Sequence, residues 1–100
     1  MNMKEILTEI VSSAFEKAGY SPKLGTVTRS NRPDLCQYQC NGAMSGAKIY
    51  KKAPLEIADD VTKHLKNDER FAMADAVAPG FINISLTDEF ITEKINTMYT

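Results

Sequence analysis

Few residues in this 100-residue chain could carry bond-making chemistry, and none of them is grouped for it. The single histidine, His64, stands between Lys63 and Lys66 in "VTKHLKND", where the lysines mark a solvated helix face. A nucleophile needs its base within hydrogen-bond reach, and nothing here suggests such a pair. Asp59 and Asp60 are neighbours on a helical stretch, so their carboxylates point about 100° apart and make no acid/base dyad. "GAMSGAK", Gly42 to Lys48, has glycines and a lysine but lacks the GxxxxGK[ST] spacing of a phosphate loop. Cys36 and Cys40 form a lone C-x3-C pair, short of the four ligands of a structural zinc site, and read as reduced, partly buried thiols. These residues predict no catalytic site and no metal site.

A different chemistry is carried by "VAPGFINISL", Val77 to Leu86. On a strand, side chains alternate between faces, so Ile82, Ile84 and Leu86 share a core face while Phe81, Asn83 and Ser85 share the other. An aromatic ring and an amide two residues apart stand side by side. One unstacked base could lie on the ring while its edge bonds to the amide, which both donates and accepts. The competing explanation packs Phe81 beneath a helix and leaves Asn83 as an ordinary polar strand residue. Taken by themselves, the residues favour that core explanation, because most aromatics of small domains are core. Lys48, Lys51 and Lys52, at the end of a helix, could meet a phosphate backbone or simply complement the negative end of the helix dipole.

The elements that must hold these side chains follow from periodicity. Met3, Ile6, Leu7, Ile10, Ala14 and Ala18 mark one helical face, and Gly19 with Pro22 stops it. A strand is expected from about Gly25 to Ser30, "SNRPD" as a loop, and a possible second strand in "LCQYQCN". Asn41 suits the N-cap of a helix rich in small residues, Gly42, Ala43, Gly46 and Ala47. Ala53-Pro54 ends that helix and opens the next, "PLEIADDVTKHLKND", because proline fits only a first turn. "ERFAMADAV" and "FINISL" read as strands joined at Pro79-Gly80. Thr87 caps a last helix whose first turn holds Asp88 and Glu89 and whose stripe is Phe90, Ile91, Ile95 and Met98. The pattern predicts one α+β domain over residues 1–100, a small, mainly antiparallel sheet packed against about four α-helices on one face.

Composition bounds the partners. With 43% hydrophobic and 25% charged residues the chain is an ordinary globular one. No segment approaches the roughly 20 apolar residues of a membrane helix, and the N-terminus is unlike a secretory signal, so a cytoplasmic location with no membrane partner is expected. Twelve basic and 13 acidic residues leave a net charge of −1, so no overall field draws in a polyanion.

Two segments together resemble a known family. Tyr38-Gln39-Cys40-Asn41 before a small-residue helix, Ala53-Pro54 with Ile57-Ala58 opening the next, and Pro79-Gly80-Phe81-Ile82-Asn83 on a strand are similar to the N-terminal additional domain of arginyl-tRNA synthetases. The family often has an acidic residue where Gln37 stands. The resemblance implies a domain that contacts the corner of arginine tRNA, mainly its D-loop, with Phe81 and Asn83 on an unstacked nucleotide and Gln39, Asn41, Lys48, Lys51 and Lys52 as secondary contacts. It implies no catalytic residue and no cofactor in this domain. The parent would be a class I arginine-tRNA ligase using ATP with magnesium for protein biosynthesis, its catalytic and anticodon-binding domains lying in the remainder of the synthetase chain. The near-neutral charge then fits a tethered module, which works at high effective concentration and needs little affinity of its own. The rival expectation is a non-catalytic protein-interaction or structural domain with Phe81 buried. Exposure of the Phe81 ring separates the two.

Overall fold

The computed structural model describes residues 2–31 and 34–98, with side chains described up to residue 94. In chain order the elements are α1 (Met3–Lys17), a 3-10 turn (Pro22–Gly25), β1 (Thr28–Arg29), β2 (Tyr38–Cys40), α2 (Gly42–Tyr50), α3 (Pro54–Thr62), β3 (Phe71–Val77), β4 (Phe81–Leu86) and α4 (Asp88–Met98). Four helices and one sheet of four strands, ordered β1-β2-β4-β3 with every neighbouring pair antiparallel, give the expected α+β fold.

Local chemistry sets most of the boundaries. Asn2 Oδ1 accepts from Glu5 N at 2.9 Å and Glu5 Oε1 accepts from Asn2 N at 3.3 Å, a capping box that starts α1. At its other end Gly19 takes φ +95°, and Tyr20 N donates to Phe15 O while Gly19 N donates to Glu16 O, the paired bonds that close a helix on a left-handed residue. α3 opens on Pro54 as its first helical residue, as the Ala53-Pro54 pair predicts. Thr87 Oγ1 accepts from Phe90 N at 3.2 Å, the predicted cap of α4. Phe90 is buried and Ile91 packs on the core; Ile95 and Met98 have side chains outside the described residues, as do Arg32 and Pro33 of the expected loop.

Three expectations are corrected. The strand expected from Gly25 begins only at Thr28, because Ser21 Oγ accepts from Lys23 N at 3.3 Å and Pro22 fixes the backbone of a 3-10 turn ahead of it. Asn41 occupies the N-cap position of α2, but its side chain makes no capping bond. α3 stops at Thr62; beyond it His64 N and Leu65 N donate to Val61 O and Thr62 O, three residues back, the tighter bonds of a turn. Leu65 beyond it still reaches the core at 1% exposure, from the turn that follows.

The core lies on one face of the sheet. Ile82, Ile84 and Leu86 of β4, with Cys40 and Ala74 from the flanking strands, meet Leu7, Val11 and Phe15 of α1 and Ile57, Ala58 and Val61 of α3. Fully burying a side chain of that size contributes about 1.5–3 kcal/mol, so this face, and not the turn chemistry, supplies most of what holds β4 in place.

Candidate functional site

Register fixes which side chains share the other face. Gln39 pairs with Asn83 across the β2–β4 ladder, Asp75 pairs with Asn83 across the β3–β4 ladder, and Thr28 pairs with Gln39 across the β1–β2 ladder. Directly opposed residues of an antiparallel pair point to the same side, so Thr28, Gln39, Asn83 and Asp75 form one polar row over all four strands. The adjoining pair is Val77 with Phe81. Phe81 is half-buried and stands outside the hydrophobic core cluster, and Val77 is 40% exposed. An aromatic and an aliphatic side chain thus lie beside the row of amides and carboxylate.

Two contacts position this surface. Gln39 Nε2 donates to Asn83 Oδ1 at 2.9 Å, joining residues 44 positions apart. Behind Phe81, the β3–β4 turn, with a cis Ala78–Pro79 peptide bond, runs hard against the start of α3: a Cβ on Gly80 would lie 2.4 Å from Pro54 Cβ. Only a residue without a side chain fits there, so Pro54 sets where β4 begins and hence where the Phe81 ring stands. Gln37 extends the ladder. Its N donates to Ile84 O at 3.1 Å and its Oε1 accepts from Leu86 N at 2.8 Å.

The other residues singled out in the sequence fall elsewhere. Asn41 is exposed and follows Cys40, the partner of Ile82, so it leaves the sheet beside the start of β4. Lys48 and Lys51 are exposed, and Lys51 takes the left-handed conformation that ends α2 (φ 54°). Lys52 is committed: its Nζ donates to Tyr20 OH at 3.1 Å and lies 5.2 Å from the centre of that ring. Tyr20 OH in turn donates to Asp60 Oδ2 at 2.7 Å. Burial, then the Asp60 hydrogen bond, raise the Tyr20 pKa, while the bond with Tyr20 raises that of Lys52. Among the described residues no hydrogen bond or ring contact joins these lysines to Phe81 or Asn83.

His64 is exposed, and no group of three or more His, Cys, Asp and Glu among the described residues is placed to hold a metal ion. Cys36 and Cys40 are free and buried; Cys40 Sγ donates to Leu24 O at 3.4 Å, and burial pushes its thiol up to about 11. The segment nearest to a phosphate loop, Gly42 to Lys48, is wound into α2 from that helix's first residue and forms no loop that could wrap a phosphate. No helix among the described residues is long and apolar enough to cross a membrane.

Sequence reasoning passed over Asp75, Val77 and Thr28. The signal for the first two was present, since alternation along "FAMADAV" puts Met73, Asp75 and Val77 on one face, though not which face of which neighbour they join.

Fold and surface together define a small α+β module that presents side chains, an aromatic, an aliphatic and a row of polar groups, from the uncovered face of its sheet. The family model described as the arginyl tRNA synthetase N terminal domain matches residues 1–86. The chain belongs to that family. It is 50% identical over 93 residues to an arginine–tRNA ligase of Alkaliphilus oremlandii and 40% identical over 96 residues to one of Francisella tularensis subsp. novicida, covering 93% and 96% of this chain. It spans 16% of the length of each of these relatives. In fold it is similar to arginyl-tRNA synthetase of Plasmodium falciparum (TM-score 0.80, 20% identity, 98% of this chain and 18% of that one). It is likewise similar to the Thermus thermophilus enzyme (TM-score 0.73, 22% identity, 93% of this chain and 15% of that one).

Proposed function

We propose that this domain is the part of an arginine-tRNA ligase that recognises the D-loop corner of arginine tRNA, with Phe81 stacking on an unstacked nucleotide and Asn83 bonding to its edge. The observation that carries this reading is Phe81, half-buried yet outside the core cluster, on the same sheet face as the Asn83 amide. The rival reading needed that ring buried. Lys48, Lys51 and Asn41, all exposed, are left for the phosphate backbone, whereas the tie to Tyr20 makes Lys52 the least suited of the secondary contacts. ATP, magnesium and the chemistry of charging belong, on this proposal, to the remainder of a cytoplasmic class I synthetase working in translation.

Stacking on an aromatic is worth about 1–3 kcal/mol per base, so Phe81→Ala in the complete synthetase should raise the KM for arginine tRNA by about 5-fold to 150-fold. Thermal melting of the variant should fall only modestly, because the ring packs outside the core cluster. A KM that stays at the parent value, or one that rises only together with a collapse in melting temperature, contradicts the proposal.

A further inference from the structure

The polar row has an internal direction. Asn83 is 9% exposed and its amide has two unlike ends, one a donor and one an acceptor. On the β2 side its Oδ1 accepts from Gln39 Nε2. On the β3 side its cross-strand partner is Asp75, an exposed carboxylate that can only accept. The bond with Gln39 turns the oxygen toward β2, and the Asp75 carboxylate on the β3 flank favours the same orientation of the amide. No described residue accepts from Asn83 Nδ2, yet no buried side-chain nitrogen or oxygen among the described residues lacks a partner. Nδ2 therefore keeps some accessible surface.

We infer that Gln39 is a positioning residue: by donating to Asn83 Oδ1 it holds the Asn83 amide with its NH2 group outward, so that this face reads a hydrogen-bond acceptor on the base lying over Phe81. The inference rests on the proposed RNA reading of Phe81 and Asn83 and adds to it the polarity of the contact and a role for Gln39 that is not direct touch. The chemical class recognised is an unstacked nucleobase edge with a carbonyl oxygen or bare ring nitrogen at the Asn83 position. A neighbouring amino or imino hydrogen on that base would face the Asp75 carboxylate.

Gln39→Glu separates positioning from contact. Glutamate keeps the shape but can only accept, so it can bond Asn83 only if the amide turns over and shows its oxygen outward. Gln39→Ala merely releases the amide. In the complete synthetase, with KM for arginine tRNA and melting temperature read side by side, Gln39→Glu should raise KM by about tenfold, the scale of one lost hydrogen bond, and more than Gln39→Ala does. On an Asn83→Ala background the same substitution should add nothing beyond Gln39→Ala, because there is no amide left to turn. A Gln39→Glu effect equal to or milder than that of Gln39→Ala overturns the inference, as does an effect that persists undiminished on the Asn83→Ala background, which would be repulsion between the new charge and RNA. If Phe81→Ala and Asn83→Ala themselves leave KM unchanged, the RNA reading fails first and the role of Gln39 with it.

Discussion

Gly80→Ala tests whether the start of α3 sets the position of the Phe81 ring. The added Cβ would meet Pro54 Cβ at 2.4 Å, Pro54 C at 3.1 Å and Pro54 Cα at 3.3 Å. Carbon atoms rest about 3.5–4.0 Å apart, so the turn and α3 must separate by about 1 Å or more. Pro54 is ill placed to yield. Its Cβ belongs to a ring, the amides of Glu56 and Ile57 are bonded to Ala53 O, and Ile57 is fully buried. The displacement therefore falls on the turn and on Phe81, the next residue along. Overpacking of this kind costs about 1–3 kcal/mol. For a domain of this size each kcal/mol lowers the melting temperature by about 4–8 °C, so the 100-residue variant should melt at least about 4 °C below the parent by circular dichroism. In the complete synthetase the same substitution should raise the KM for arginine tRNA although it touches neither Phe81 nor Asn83. A variant that melts within a degree of the parent would refute the tight approach, and one that melts lower but charges tRNA normally would refute the link from Pro54 to the ring.

Two further outcomes concern titrating groups. Burial pushes the Cys40 thiol up to about 11 and its Sγ is spent on Leu24 O, so iodoacetamide at pH 8 should leave Cys40 unmodified in the folded chain and alkylate it in urea; peptide mapping that finds it labelled at the rate of a free thiol would contradict its burial. The Asp68 carboxyl is held below the usual range by its side-chain hydrogen bond with Arg70, whose Nε donates to Oδ1 at 2.8 Å. A carboxyl depressed in the folded state stabilises above its unfolded pKa and loses that contribution as pH falls through the folded value. Asp68→Asn should thus melt below the parent at pH 7, with the gap closing below about pH 4 and narrowing in high salt; an equal gap at pH 3 and pH 7 would rule the pair out as its source.

Much of the fold was legible because single residues announce it. Gly19, Pro54, Pro79-Gly80 and Thr87 each end or begin an element by a local rule that needs no knowledge of the rest of the chain, and the alternation in "FINISL" separates the core face from the open one. What stayed hidden was decided at a distance or by competing short-range bonds. Ser21 and Pro22 set a turn that takes in Gly25, Val27 N donates to Thr8 Oγ1 of α1 ahead of β1, and His64 and Leu65 switch to three-residue bonds where helical spacing runs on to Leu65. The placement of β2 against β4 involves residues 44 apart, so the Gln39–Asn83 bond and the neighbourhood of Asp75 lay beyond any local pattern. The same distance effect separated Lys52 from the other lysines: its partner, Tyr20, stands 32 residues earlier.

β4 has strands on both sides, and its two ladders consume the main-chain groups that an edge strand would leave free. Whatever settles on the uncovered face finds side chains and no spare backbone. The strand is in effect written twice, with Ile82, Ile84 and Leu86 spelling the fold and Phe81, Asn83 and Ser85 spelling the surface. The two texts alternate residue by residue without sharing a letter. A lineage can therefore revise what this face prefers by exchanging one outward side chain at a time, while the inward set keeps the scaffold unchanged.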